Sequence, residues 1–167
     1  MDELVLQYDL QRINDSILIQ NFKSGLTQEF WLSKSEIRQL LEKTLPTYNG
    51  KYRLVLFIQK GQCISCVKSI VMDFELLQQE TGFEQMYILG DFKSKEDLDT
   101  VLRTISPDLN FKSFHLDINL PFFCEYPSCF LINEDFQVID FFIPGLLPDL
   151  RETYFYETVI KYLKLQN

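Results

Sequence analysis

The segment RLVLFIQKGQCISC, residues 53–66, contains an apolar run, a polar turn and two cysteines in direct succession. The run at 54–58 has the length and composition of a buried strand, and the turn at 59–62 contains a glycine. Apolar residues then recur at helical spacing, at Val67, Ile70, Val71, Phe74 and Leu77. The segment therefore predicts a strand, a tight turn, two cysteines and a helix, which Thr81-Gly82 would close.

Cys63 and Cys66 stand where that helix would begin. The first turn of a helix has unpaired N–H groups and the positive end of the helix dipole, and both stabilise a thiolate. A spacing of three residues places both sulfur atoms on one face of the helix, within reach of a disulfide bond. The pair is therefore a candidate redox site. Metal binding by the two thiols and simple packing are the alternatives.

The composition of the chain argues against several classes of function. Its 167 residues are enough for one domain that buries about 70% of its unfolded surface without cross-links. Four cysteines are too few for a disulfide-dense scaffold. The formal charge of −8 argues against nucleic acid or an anionic lipid surface as a partner. No apolar run reaches the roughly 18 residues of a membrane span, and we expect neither a cofactor nor a bound metal.

Upstream of the cysteine segment, the sequence predicts a β-hairpin followed by a helix. The two strands would be 16–20 and 28–32, joined by a loop with turn residues at its ends. The helix would begin at Ser33 or Ser35 and run through Glu42. This part of the chain carries no chemical motif.

Downstream of the cysteine helix, strands and helices continue to alternate. Strands are predicted at 86–89, 129–132 and 137–142, and a short strand or an extended link at 114–117. Helices are predicted after Ser94 and from near Pro148. The chain would leave the first of these strands at Gly90, and Ser94 would cap the helix that follows. The alternation predicts parallel crossovers, and the last two strands predict an antiparallel hairpin.

Three features resemble proteins of the thioredoxin fold, in particular the thiol:disulfide oxidoreductases of the bacterial cell envelope (the TlpA-like redoxin family). The first is the Cys-x-x-Cys at 63–66, at a strand-to-helix junction. The second is Tyr-Pro-Ser at 126–128, before an apolar strand. The third is the segment 130–135, which leads into Val-Ile at 138–139. The resemblance covers about residues 50–165.

The resemblance implies an α/β protein with a thioredoxin-like three-layer fold, in which helices flank a central mixed β-sheet. It implies a single thioredoxin-like domain over residues 1–167. Residues 1–50 would form an N-terminal hairpin-plus-helix extension, and residues 51–167 would form the thioredoxin core.

The resemblance also implies a groove for substrates beside the cysteines. Pro127 would be held in a cis peptide bond, which is uncommon for an ordinary X-Pro bond. Tyr126 would leave its backbone free to pair with a bound peptide, and Gln62 would belong to the same groove.

The activity implied is thiol:disulfide exchange. Cys63 would attack a substrate disulfide as a thiolate, and Cys66 would resolve the mixed disulfide. The partners would be protein thiols or disulfides and an upstream redox partner. The sequence fixes neither the direction of electron flow nor the oligomeric state.

Four residues depart from the family pattern. Gln62 replaces an aromatic residue, Ser65 a proline, Ser128 a threonine, and Phe57 the buried acid that thioredoxin keeps beneath its cysteines. The alternative function is therefore a catalytically weak thioredoxin-like binding module, which would use the groove beside Pro127 for partner contact.

Cys124 and Cys129 are candidate accessory thiols. A strand cysteine such as Cys129 is most often a buried small hydrophobic residue. The alternatives are a disulfide between the two, a relay of oxidation from the first pair, or a zinc site made by all four thiols.

The first fifteen residues lack the basic and apolar regions of a secretory signal. Taken alone, this predicts a cytoplasmic protein. The family resemblance instead suggests the bacterial periplasm or envelope, with a leader removed.

Overall fold

The computed structural model of the 167-residue chain describes residues 34–47, 50–116, 126–144 and 159–164. The described helices are α1 (Lys34–Thr44), α2 (Ile64–Thr81), α3 (Lys95–Ile105) and α4 (Ile160–Lys164). The described strands are β1 (Tyr52–Gln59), β2 (Met86–Asp91), β3 (Lys112–His115), β4 (Ser128–Asn133) and β5 (Val138–Phe142). All of them lie in one compact unit, Ser33–Asn167. The predicted N-terminal hairpin and most of the predicted last helix lie outside the described residues.

The five strands form one mixed sheet in the order β3-β2-β1-β4-β5. β1 pairs with β2 and β2 pairs with β3 in parallel, so α2 and α3 are crossover helices. β1 pairs with β4 and β4 pairs with β5 in antiparallel orientation. A mixed sheet flanked by helices confirms the predicted α/β class, the parallel crossovers and the final hairpin.

β1 is the central strand, and every residue from Arg53 to Gln59 is buried. A strand covered on both faces is expected to be apolar throughout, without alternation. The run at 54–58 has that pattern. Because β1 leads directly into the cysteine turn, this burial fixes the position from which the turn leaves the sheet.

The two crossover helices begin and end where the sequence indicates. The predicted end of α2 is confirmed, because Gly82 has φ +66° and its N–H donates to the Gln78 carbonyl at 2.8 Å. The predicted N-cap of α3 is also confirmed, because the Ser94 hydroxyl accepts from the Asp97 N–H at 3.1 Å. Within the described residues, no helix combines the length and apolarity needed to cross a membrane.

The predicted end of β2 is wrong, because Gly90 lies inside the strand and does not end it. Gly90 pairs with Ile58 of β1 and with His115 of β3. A Cβ atom at Gly90 would lie 2.5 Å from Cδ1 of Leu98 on α3. Glycine is therefore needed here for the close approach of α3 to the sheet, and not for a turn.

Arg53 is a buried cation that the apolar pattern does not predict. Its guanidinium donates to the carbonyls of Pro46 at 2.9 Å, Asn133 at 3.3 Å and Glu134 at 3.4 Å. It also lies 4.0 Å from the ring centroid of Phe136. Burial lowers the pKa of Arg53 from its ordinary value. This one side chain joins the segment after α1 to the β4–β5 turn.

Gly90→Ala is expected to destabilise the protein by about 1–3 kcal/mol, because the added methyl group overpacks against Leu98. In a Leu98→Ala background the same change is expected to cost distinctly less, because the clashing atoms are absent. Chemical denaturation of the four proteins of this cycle gives both costs.

Gly82→Ala is the matched control. Its added Cβ meets nothing within 4 Å, and its cost comes from the left-handed backbone, about 1–2 kcal/mol. That cost should be the same with and without Leu98. Equal costs of Gly90→Ala in the two backgrounds would contradict the proposed contact.

Candidate active site

Cys63 is the N-cap residue of α2. Its Sγ accepts a hydrogen bond from the Cys66 N–H at 3.4 Å, and its carbonyl accepts from the Val67 N–H at 3.0 Å. A sulfur atom thus takes the place that the oxygen of serine or aspartate usually fills at a helix start. The structure therefore confirms that the two cysteines lie at the strand-to-helix junction, with Cys63 exposed and Cys66 half-buried.

The surroundings of the two thiols shift their acidities in opposite directions. Hydrogen bonds from the Cys66 thiol, from the Ser65 hydroxyl and from the Cys66 N–H lower the pKa of Cys63 from 9.0 to about 7. The Ser65 Oγ lies 3.0 Å from the Cys63 Sγ. The pKa of Cys66 is raised, first by its hydrogen bond with Cys63, then by burial and by the charge on Cys63. Near neutral pH, Cys63 is substantially a thiolate while Cys66 keeps its proton.

The first turn of α2 contains no acidic residue. Carboxylates are usually favoured at this end of a helix, because they interact with the unpaired N–H groups and the dipole. Here no carboxylate within that turn competes with the sulfur. The thiolate of Cys63 is therefore the anion that the helix start stabilises.

Gln62 connects the cysteine turn to the segment that enters β4. Its side chain is only 7% exposed. Its Oε1 accepts from the Gln59 N–H at 3.0 Å, and its Nε2 donates to the Tyr126 carbonyl at 2.9 Å. The structure therefore brings Gln62, directly before Cys63, into contact with Tyr126, directly before Pro127.

The prediction of a cis bond before Pro127 is wrong. No cis peptide bond occurs among the described residues, which include Tyr126 and Pro127. The trans form is the lower-energy state of an ordinary X-Pro bond by about 0.5–1 kcal/mol. The Tyr126 carbonyl accepts from Gln62, and the pairing of the Tyr126 backbone with a bound peptide stays a prediction. Pro127 itself is buried.

Cys129 lies in β4 and is fully buried. It pairs with Leu56 of β1 and with Phe142 of β5. This environment agrees with the packing interpretation of a strand cysteine. Cys124 lies outside the described residues, so the hypotheses that involve it stay predictions. In the part of the chain that is described, no three metal-binding side chains lie together.

Phe57 and Ser128 face each other across the β1–β4 pair. Phe57 is buried and its ring centroid lies 6.3 Å from that of Phe130, so this position holds an aromatic contact. The Ser128 hydroxyl is buried and has no hydrogen-bond partner among the residues described. The sheet beneath the cysteine turn is therefore apolar at this position, and the serine hydroxyl adds no bond to it.

Two residues that depart from the family pattern have defined contacts in the structure. Ser65 donates to or accepts from the Cys63 sulfur, and Gln62 links two segments of the chain. For Ser65, the spacing of two residues from Cys63 is a signal that could have indicated the contact, since serine side chains commonly bond within their own turn. For Gln62, no local signal exists, because Tyr126 lies far along the chain.

The rate at which Cys63 is alkylated by iodoacetamide is expected to rise with pH and to reach half its maximum near pH 7, because the thiolate is the reacting form and the pKa is lowered to about 7. Ser65→Ala removes one of the hydrogen bonds that lower this pKa, so the curve should move to higher pH. Mass spectrometry of digested protein measures the modification of Cys63 alone.

Ser65→Thr is the matched control, because it keeps a hydroxyl at the same position. Its curve should stay close to that of the original protein. A Ser65→Ala curve that coincides with the original would show that the hydroxyl does not influence the thiolate.

Comparisons with known proteins give the following. No protein-family model matches the chain, and no curated protein matches it significantly. A thiol:disulfide interchange protein from Bacteroides sp. is 17% identical, with 69% of this chain and 74% of that chain covered and a TM-score of 0.47. The thioredoxin domain of a thiol-disulfide oxidoreductase from Bacteroides vulgatus is 17% identical, with 68% and 80% covered and a TM-score of 0.47. StoA from Bacillus subtilis is 13% identical, with 57% and 75% covered and a TM-score of 0.41.

The chain's own topology identifies its fold. Two parallel crossovers lie on one side of the central strand, an antiparallel hairpin lies on the other, and a cysteine pair begins the first crossover helix. The protein has a thioredoxin-like α/β fold.

Proposed function

We propose that the protein is a thiol:disulfide oxidoreductase that exchanges disulfides with other proteins through Cys63 and Cys66. The observation that carries the proposal is the placement of the two thiols at the start of α2, where the Cys63 sulfur accepts from the Cys66 N–H at 3.4 Å. The exposed one, Cys63, has its pKa lowered to about 7, and the half-buried one, Cys66, has its pKa raised. A nucleophile and a protonated resolving thiol, three residues apart, are what disulfide exchange requires.

In the first step, the Cys63 thiolate attacks one sulfur of a partner disulfide. A bond forms between Cys63 and that sulfur, and the partner's own S–S bond breaks. The other partner sulfur leaves with the electron pair as a thiolate and takes a proton from solvent.

In the second step, Cys66 loses its proton to solvent and attacks the Cys63 sulfur. The bond between Cys63 and the partner breaks, and the partner sulfur that was bonded to Cys63 leaves as a thiolate. The partner has then gained two electrons, and a Cys63–Cys66 disulfide remains. An upstream dithiol of another protein must supply two electrons to reduce it again.

The contacts of Cys66 provide a reason for the order of these steps. The main causes that raise its pKa include the hydrogen bond with Cys63 and the negative charge on Cys63. Both end when Cys63 enters a mixed disulfide, because its sulfur is then neutral. The pKa of Cys66 should fall at that moment. Cys66 therefore becomes a better nucleophile only after the partner is attached.

The lowered pKa of Cys63 also bears on the redox potential. A stabilised thiolate stabilises the reduced form of the pair relative to the disulfide. A pair of this kind is more oxidising than one with ordinary thiols. The Ser65 hydroxyl contributes to this effect through its contact with the Cys63 sulfur.

Reduction of insulin disulfides by the reduced protein tests the proposal. Cys63→Ser should lower the rate by roughly a hundredfold or more, because the attacking thiolate is absent. Cys66→Ser should still perform the first step and then accumulate a mixed disulfide with insulin, visible on a non-reducing gel.

Cys129→Ala is the matched thiol control, because Cys129 is buried in the sheet. Its rate should equal that of the original protein. If the original, Cys63→Ser and Cys66→Ser proteins all reduced insulin only at the background rate, the enzymatic proposal would be wrong. A binding module without redox activity would then be favoured.

A further inference from the structure

Asp91 is the last residue of β2 and pairs with Gln59, where the turn that leads to the cysteines begins. It holds that turn through two groups. Its carbonyl accepts from the Lys60 N–H at 3.0 Å, and its carboxylate Oδ2 accepts from the Gln59 Nε2 at 3.0 Å. The first contact continues the pairing of β1 with β2, which any residue could provide. The second requires an acceptor on the side chain of residue 91.

Gln59 carries the contact from Asp91 into the turn. It is 4% exposed, so its amide is out of water and needs an acceptor inside the protein. Its N–H donates to the Gln62 Oε1 at 3.0 Å, and its carbonyl accepts from the Gln62 N–H at 3.2 Å. A displacement of Gln59 is therefore passed to Gln62, which directly precedes Cys63.

The position of the Cys63 backbone decides whether its sulfur caps α2. The Sγ accepts from the Cys66 N–H at 3.4 Å while Cys63 keeps the conformation of an N-cap residue. The largest influences on the pKa of Cys63 are hydrogen bonds with Cys66 and Ser65, and the charge of Asp91 is not among them. An influence of Asp91 on the sulfur therefore has to pass through the turn.

We propose that Asp91 is a positioning residue for the nucleophile: its carboxylate, through the Gln59 amide, holds the turn in the conformation that keeps the Cys63 sulfur at the start of α2. The inference rests on the proposed function, since it concerns the thiol that attacks the partner disulfide. Loss of the carboxylate takes this acceptor from a buried amide, and the amide then gains by moving toward water. The turn shifts with it, and the hydrogen bond to the sulfur weakens.

The pH dependence of Cys63 alkylation by iodoacetamide tests the proposal, because its midpoint follows the pKa of the thiol and not the stability of the fold. Asp91→Ala should move the midpoint to higher pH by about half a unit, since a weakened hydrogen bond stabilises the thiolate less. A direct effect of the Asp91 charge would have the opposite sign. Removal of a negative charge near a thiolate stabilises the thiolate and lowers the midpoint.

Asp91→Asn is the conservative variant. Its side-chain oxygen can still accept from the Gln59 Nε2 but carries no charge, so the midpoint should return to that of the original protein.

Gln59→Met removes the donor at nearly constant volume and leaves Asp91 in place. It should raise the midpoint as Asp91→Ala does, and it keeps the test decisive if Asp91→Ala does not fold. The two changes together should raise the midpoint no further than either alone, because they break the same bond.

Asp99→Ala is the matched control. Asp99 is a half-buried residue of α3, and its carboxylate hydrogen-bonds to Lys95 and to the Ser113 hydroxyl, which lie outside the cysteine turn. Its midpoint should equal that of the original protein.

Unchanged midpoints in both Asp91→Ala and Gln59→Met would overturn the positioning role. A lower midpoint in Asp91→Ala and Asp91→Asn would also overturn it, by showing that the charge acts directly on the sulfur. An equal rise in Asp91→Asn and Asp91→Ala would overturn the route through the Gln59 amide. The proposed function fails separately, if the original protein reduces insulin no faster than Cys63→Ser, and the alkylation curves do not depend on that result.

Discussion

The hydrogen bond from the Cys66 N–H to the Cys63 sulfur is the interaction on which the site depends. It caps an 18-residue helix and stabilises a thiolate at the same atom. The stability of the first helical turn and the acidity of Cys63 are therefore linked. Whatever loosens that turn raises the pKa of the thiol, and whatever removes the charge on the sulfur weakens the cap. The sheet supports this contact, because β1 is buried from Arg53 to Gln59 and fixes the position of the turn that follows it.

Much of the fold could be predicted from local pattern. An uninterrupted apolar run predicts a strand covered on both faces, and β1 is such a strand. Helical periodicity after Cys66 and the Gly82 terminator define α2 at both ends. The error at Gly90 has a clear cause. Glycine ends many strands but also allows close packing, and only the contact with Leu98 distinguishes the two cases. The residues next to Arg53 in the sequence also do not indicate that it is buried, because its acceptors are carbonyls from two other segments.

The candidate site was predictable to a lesser extent. Its two cysteines follow from spacing and from their place before a helix, because those properties are local. The roles of Ser65 and Gln62 depend on where side chains point after folding. The family pattern gives no hint that Gln62 is buried, whereas in the structure its amide joins two segments. The same pattern misjudged the bond before Pro127, which is not cis.

Arg53 has a consequence for how the sequence can vary. In the described part of the chain, its guanidinium hydrogen-bonds only to main-chain carbonyl oxygens. Every amino acid supplies such an oxygen, so Pro46 and Glu134 are replaceable as far as this contact is concerned. What the contact does not tolerate is a change in spacing. An insertion or deletion in the β4–β5 turn would move the acceptors and leave a buried positive charge without them, which is far more costly than any change of side chain there. The carbonyl contacts of Arg53 thus place no demand on the identity of Pro46 or Glu134, but they do constrain the length of the turn.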